Sequence, residues 1–127
     1  MRTKQARPTI VCLCGPTRFY QEFQRANYEE TMAGKIVLSV GFYMHAVGET
    51  GGHGEGVGAD SAEKVALDEL HKRKIDLADE VLVVSDSTGY FGKSTASEIA
   101  YAHRAGKPIR FMVDASGVLA QLSGLFS

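Results

Sequence analysis

The chain reads as an α/β protein: a doubly wound parallel sheet of four to five strands, with helices on both faces in three layers. Three observations predict this. Short apolar runs alternate with helical patterns from one end to the other, the order of a sheet built by crossovers. The first run, Pro8-Thr9-Ile10-Val11-Cys12-Leu13-Cys14, is apolar on both sides, as a central parallel strand must be. The third, Ala78-Asp79-Glu80-Val81-Leu82-Val83-Val84-Ser85-Asp86, runs into a glycine loop and then into a helix, as in one half of a doubly wound unit.

The elements follow in order. Gly15-Pro16-Thr17 breaks the first strand, and Thr17 is expected to cap a helix over residues 18–33. Phe19, Phe23, Ala26 and Met32 face its core side, and Gly34 ends it. Residues 35–40 form the second strand. Residues 41–60 hold seven glycines with His45 and His53, a composition that predicts a functional lid or a disordered loop rather than a linker between domains. Asp60-Ser61-Ala62-Glu63 has the spacing of a capping box and opens a helix to residue 77, with Leu67, Leu70 and Leu77 inward. The third strand spans 80–85 and the third helix 94–105. Gly106 stops that helix, 108–113 form a fourth strand, and 116–122 add a short helix.

With 127 residues the chain is expected to be one domain, burying roughly two-thirds of its unfolded surface. A net charge of -1 gives no basic stripe for nucleic acid or a membrane surface. No apolar run is long enough to span a bilayer, and residues 1–7, polar and basic, read as a frayed leader without a signal peptide. Cys12 and Cys14 fall on one side of one strand, where a disulfide between them is geometrically poor. They read as buried apolar thiols of a cytoplasmic protein. No further ligands stand at zinc spacing, and His45, His53, His71 and His103 read as exposed, so no metal or cofactor is expected.

The chemistry concentrates past the strand ends. Thr95-Ala96-Ser97-Glu98 fits a capping box, in which Glu98 only reaches back to a backbone N–H. The same Glu98, at the start of a helix on the ligand-binding rim, can equally attack an electrophilic sugar carbon. Local sequence leaves both readings open. Gly15, Thr17 and Arg18 follow the first strand, while Gly92, Ser94 and Ser97 open the third helix. Two helix starts on adjacent strands, with a guanidinium, make a pocket for one phosphate. Asp86 sits at the carboxyl end of its strand, where ligand contacts concentrate. Gly92-Lys93-Ser94 is no P-loop, because Ser87 stands where that motif needs its first glycine.

With these residues in hand, the chain resembles the nucleoside 2-deoxyribosyltransferase superfamily, which includes deoxynucleoside 5′-monophosphate N-glycosidases. The matching features are Cys14-Gly15-Pro16-Thr17-Arg18, Ala78-Asp79 before an apolar strand, Ser97-Glu98-Ile99-Ala100-Tyr101-Ala102, and Gly106-Lys107-Pro108. The resemblance implies a flavodoxin-like sheet and a glutamate nucleophile, here Glu98, forming a covalent glycosyl-enzyme. It places the sugar or its 5′-phosphate on Gly15, Thr17, Arg18, Ser94 and Ser97, with Asp86 lining the pocket. It also implies a homodimer or higher homo-oligomer. One position departs from the pattern. Eight residues before Asp79 the family usually has an aspartate, and this chain has His71, which can supply a proton to the leaving base or leave the catalytic set incomplete. A nucleotide-binding module that does not cleave, and a domain whose glycine loop docks a protein partner, are the competing readings.

Overall fold

The computed structural model describes residues 7–41 and 62–113. The predicted lid apart from its first residue, the Asp60-Ser61 half of the capping box, His45, His53 and the tail helix lie outside the described residues. Four strands, β1 (Ile10–Cys14), β2 (Ile36–Leu38), β3 (Glu80–Val83) and β4 (Ile109–Phe111), form one sheet in the order β2-β1-β3-β4. Every pairing is parallel, with Cys12 opposite Val81 and Cys14 opposite Val83 across the central seam. This is the first four-strand order of the flavodoxin type, whose direction of winding reverses between β1 and β3.

Among the described residues three α-helices cover the sheet: α1 (Tyr20–Met32), α2 (Ala62–Leu77) and α3 (Lys93–Arg104). Because alternate side chains of a strand point to opposite faces, β1 and β3 supply two separate cores. Val11, Leu13, Leu82 and Val84 meet Phe23 and Ala26 of α1. Cys12, Cys14, Val81 and Val83 meet Ile75 of α2 and Ile99 and Ala102 of α3. The three-layer expectation therefore holds. No helix among the described residues is long and apolar enough to cross a membrane.

Two helix ends follow the glycine signals. After α1, Gly34 takes φ 90°, its N–H bonds Thr31 O at 2.9 Å, and Lys35 N bonds Glu30 O at 3.1 Å. After α3, Gly106 takes φ 77°, with Gly106 N on His103 O and Lys107 N on Ala102 O, both at 3.0 Å. This is the paired closure that needs a left-handed residue just past the helix. Lys107 Nζ then donates to Ala78 O at 2.8 Å, holding the carbonyl end of α2. Gly15 is required for another reason. A Cβ there would strike the Val84 carbonyl oxygen, so the chain leaves β1 pressed against β3.

Several expectations about faces and caps are corrected. Met32, Leu70 and Leu77 are exposed rather than inward. The inner face of α2 runs through Leu67, His71 and Ile75, one step per turn, which puts Leu70 and Leu77 out of phase. Thr17 does not cap a helix: it lies inside a 3₁₀ turn, Thr17–Phe19, whose capping residue is Pro16 and which has no side-chain cap bond.

Candidate functional site

The capping reading of Glu98 does not survive. Helix α3 starts at Lys93 with Gly92 as its cap residue and no side-chain cap bond, so Glu98 stands in the second turn, too far along to close the first. It is buried, 8% exposed, as is Thr95. Its side chain instead faces β1, where the Cys14 thiol is its hydrogen-bond partner. Ile99 and Ala102, one and four residues on, anchor the helix in the core and fix that orientation.

His71 is the second correction. It is buried, not exposed, and enters the same space from α2. Its Nε2 lies 3.0 Å from Leu13 O, 3.5 Å from Cys14 Sγ and 3.6 Å from Cys12 Sγ. Cys12 and Cys14 are free and buried as expected, but they are not merely apolar filling. They join His71 and Glu98 in one titratable cluster at the carboxyl half of β1. Asp68, one helical turn before His71, raises the same carboxylate electrostatically. Sequence reasoning missed Asp68, although its spacing of three from His71 places both on one helix face. Its carboxylate takes Lys64 Nζ at 2.7 Å, and Lys64 donates onward to Ser94 Oγ at 2.9 Å, tying α2 to the start of α3.

The cluster's proton affinities are displaced from their ordinary values. Burial pushes Glu98 up to about 7, against the opposing pull of His71. Hydrogen bonding to Cys14 lowers Cys12 to about 6, with His71 and Lys74 helping, and Cys14 goes up in return. Burial pushes His71 down, but its bond to Cys12 and the charges of Glu98 and Cys12 outweigh that, so it rises. Four side chains of three chemical types thus titrate as one coupled group in a buried volume.

The remaining predicted residues form a second group, half-buried or exposed, on the loops that follow β1 and β3 and the first turns of α3. Arg18 stacks on the rings of Phe19 and Tyr90, its guanidinium carbon 4.8 and 5.1 Å from their centroids. It thereby bridges the two loops across the seam. Asp86 Oδ1 accepts from the Thr88 backbone N–H at 3.0 Å and from the Thr88 hydroxyl, and these bonds, with the nearby Arg18 charge, lower its pKa. Gly89 closes that turn at φ 78°. Gly92 begins α3 in an extended conformation, and Ser94 and Ser97 are exposed in its first turns. The structure thus brings Glu98 together with His71, and Arg18 together with Asp86. It joins Ser94 to α2 through Lys64.

Much of the sequence pattern around Glu98 is explained by packing. Tyr101 OH donates to Asp76 at 2.6 Å and accepts from Arg73 at 2.8 Å, clamping α2 to α3. The fold and site define a doubly wound α/β protein with a buried acid at its winding reversal, the place where ligands of such sheets bind. Compared with family models, curated proteins and solved structures, the chain finds no match.

Proposed function

We propose that this protein is an N-glycosidase or glycosyltransferase of the nucleoside 2-deoxyribosyltransferase type, acting on a nucleotide or nucleoside, with a 5′-monophosphate as the favoured substrate. The observation that carries the reading is Glu98: a buried carboxyl freed from capping duty, beside a histidine and a second acid at the carboxyl edge of β1 and β3. In this mechanism a Glu98 oxygen attacks the anomeric carbon. The bond to the base breaks and its electron pair leaves with the base, which takes a proton from His71. Water then attacks the glycosyl-Glu98 ester, releasing the sugar and restoring the carboxyl; a second base in place of water gives transfer. Asp68 supplies the second acid that the resemblance expects nearby. Arg18, with Gly15, Thr17 and Ser97 around the two helix starts, receives the 5′-phosphate. Asp86 acts by holding the loop that carries Tyr90 against Arg18.

The proposed setting is cytoplasmic, which suits two free thiols, and the proposed assembly is a homo-oligomer, for which Leu70 and Leu77 on α2 offer exposed apolar contacts. The test is incubation with a panel of nucleotides and nucleosides and chromatography for free base. Release that disappears in Glu98→Gln is expected. No release from any of them, or release unchanged by that substitution, removes the enzymatic reading. The burial of Glu98 favours one alternative, a nucleotide holder that does not cleave. A thermal upshift by a nucleotide recovered intact would select it.

A further inference from the structure

Nε2 of His71 meets three groups, Leu13 O, Cys12 Sγ and Cys14 Sγ, within 3.0–3.6 Å. It carries at most one hydrogen, so as a donor it serves one of them, and as an acceptor it faces the carbonyl lone pairs. Hydrogen bonding alone leaves this arrangement underused. Its dimensions match something else. Two thiolates and an imidazole around a tetrahedral zinc, at about 2.3 Å for sulfur and 2.05 Å for nitrogen, stand roughly 3.6 Å apart from sulfur to nitrogen. The separations here are 3.6 and 3.5 Å, and all three ligand atoms lie within 4.8 Å of one another. The strand sets this up: Cys12 and Cys14 are two residues apart and so project to one face, while α2 brings His71 over them.

We propose that Cys12, Cys14 and His71 form a buried transition-metal site with three protein ligands. Binding releases the protons the two thiols still hold, and His71 keeps its single hydrogen on Nδ1 so that the Nε2 lone pair faces the ion. Two sulfurs and one nitrogen suit Zn²⁺, and exclude the all-oxygen shells of Mg²⁺ and Ca²⁺. The site does not depend on glycosidase activity. Where both hold, Zn²⁺ inhibits base release, because it occupies the imidazole that would protonate the leaving base.

Titration of the reduced, metal-stripped full chain with Co²⁺ tests the site without any substrate. One Co²⁺ per chain is expected, with a thiolate-to-cobalt charge-transfer band and the intense visible bands of tetrahedral cobalt, both bleached by one equivalent of Zn²⁺. Cys12→Ser and Cys14→Ser each weaken the charge-transfer band, and together they abolish it; His103→Gln leaves it unchanged. His71→Gln lowers Zn²⁺ affinity at least about tenfold while keeping the sulfur band. Absence of the charge-transfer band in the unmutated protein overturns the proposal whatever the variants do, and so does a band that survives the double cysteine replacement. Neither result bears on base release, which is measured separately in metal-free protein.

Discussion

On the face of the sheet covered by α1, Arg110 Nη2 lies 2.6 Å from Glu30 and 3.2 Å from Glu80, and Lys35 Nζ adds bonds of 3.1 and 2.8 Å to the same two acids. On the opposite face, Cys12, Cys14, His71 and Glu98 are buried together, and Cys12 and Glu98 are both shifted to where a proton is gained or lost near neutrality. Both faces bury charge, but only the first neutralises it with residues that stay cationic at any physiological pH. The first arrangement is therefore fixed, a brace between the end of α1 and the strands. The second is adaptable, and its proton count changes with whatever approaches it. A structural role needs the former, and chemistry or metal binding needs the latter.

The contrast can be broken most sharply at Glu98. Glu98→Gln is expected to reduce base release by at least about a thousandfold while leaving the thermal midpoint unchanged or higher, since it removes a charge that burial disfavours. A large loss of stability would mean that Glu98 belongs to the brace class. Next comes the seam that both faces share. Gly15→Ala drives a Cβ into the Val84 backbone and should cost about 3 kcal/mol, the upper part of the range for overpacking. Its urea midpoint should fall well below that of Gly34→Ala, whose new Cβ meets open space and whose penalty comes from φ alone.

On the brace side, Arg110→Met leaves Glu30 and Glu80 with only Lys35. A fully buried pair broken this way costs more, but Arg110 is 41% exposed, so about 2 kcal/mol is expected. Adding Glu30→Gln and Glu80→Gln to Arg110→Met should recover most of it, because no unpaired carboxylate is then left. The pH dependence follows with a definite sign. Burial alone would raise Glu30 and Glu80, but bonds from Arg110 and Lys35 dominate and hold both below 4.5. Their contribution is full above that value and is lost as pH falls through the folded-state range. Denaturant midpoints of the native protein should decline on that acid limb, and Arg110→Met should flatten it. The smallest effect is expected at Asp86. Asp86→Asn keeps the oxygen that accepts from Thr88 and should shift stability by less than about 0.5 kcal/mol, with any larger change appearing in KM for a phosphorylated substrate.

The parallel α/β class, helix placement and most boundaries were legible because they rest on local signals. Gly34 and Gly106 stop helices where the chain must turn left-handed. Alternation in β1 and β3 divides their side chains cleanly between the two faces. The site was legible in part. Glu98 could be singled out, but cap and reagent look alike in Thr95-Ala96-Ser97-Glu98, and only the start of α3 at Lys93 separates them. Leu70 and Leu77 misled because apolarity suggests an inner face, whereas the rotation of α2 about its axis is set by where Ile75 and His71 meet the sheet.

By itself, then, the sequence determined a doubly wound sheet, two left-handed helix closures, and a glutamate and an arginine near the ends of adjacent strands. These follow from dihedral preferences and side-chain periodicity, which act over a few residues. Tertiary structure alone decided that Cys12, Cys14, His71 and Glu98 occupy one buried volume, drawn from β1, α2 and α3. That meeting depends on the register of parallel strands and the rotation of two helices, and no local spacing encodes either.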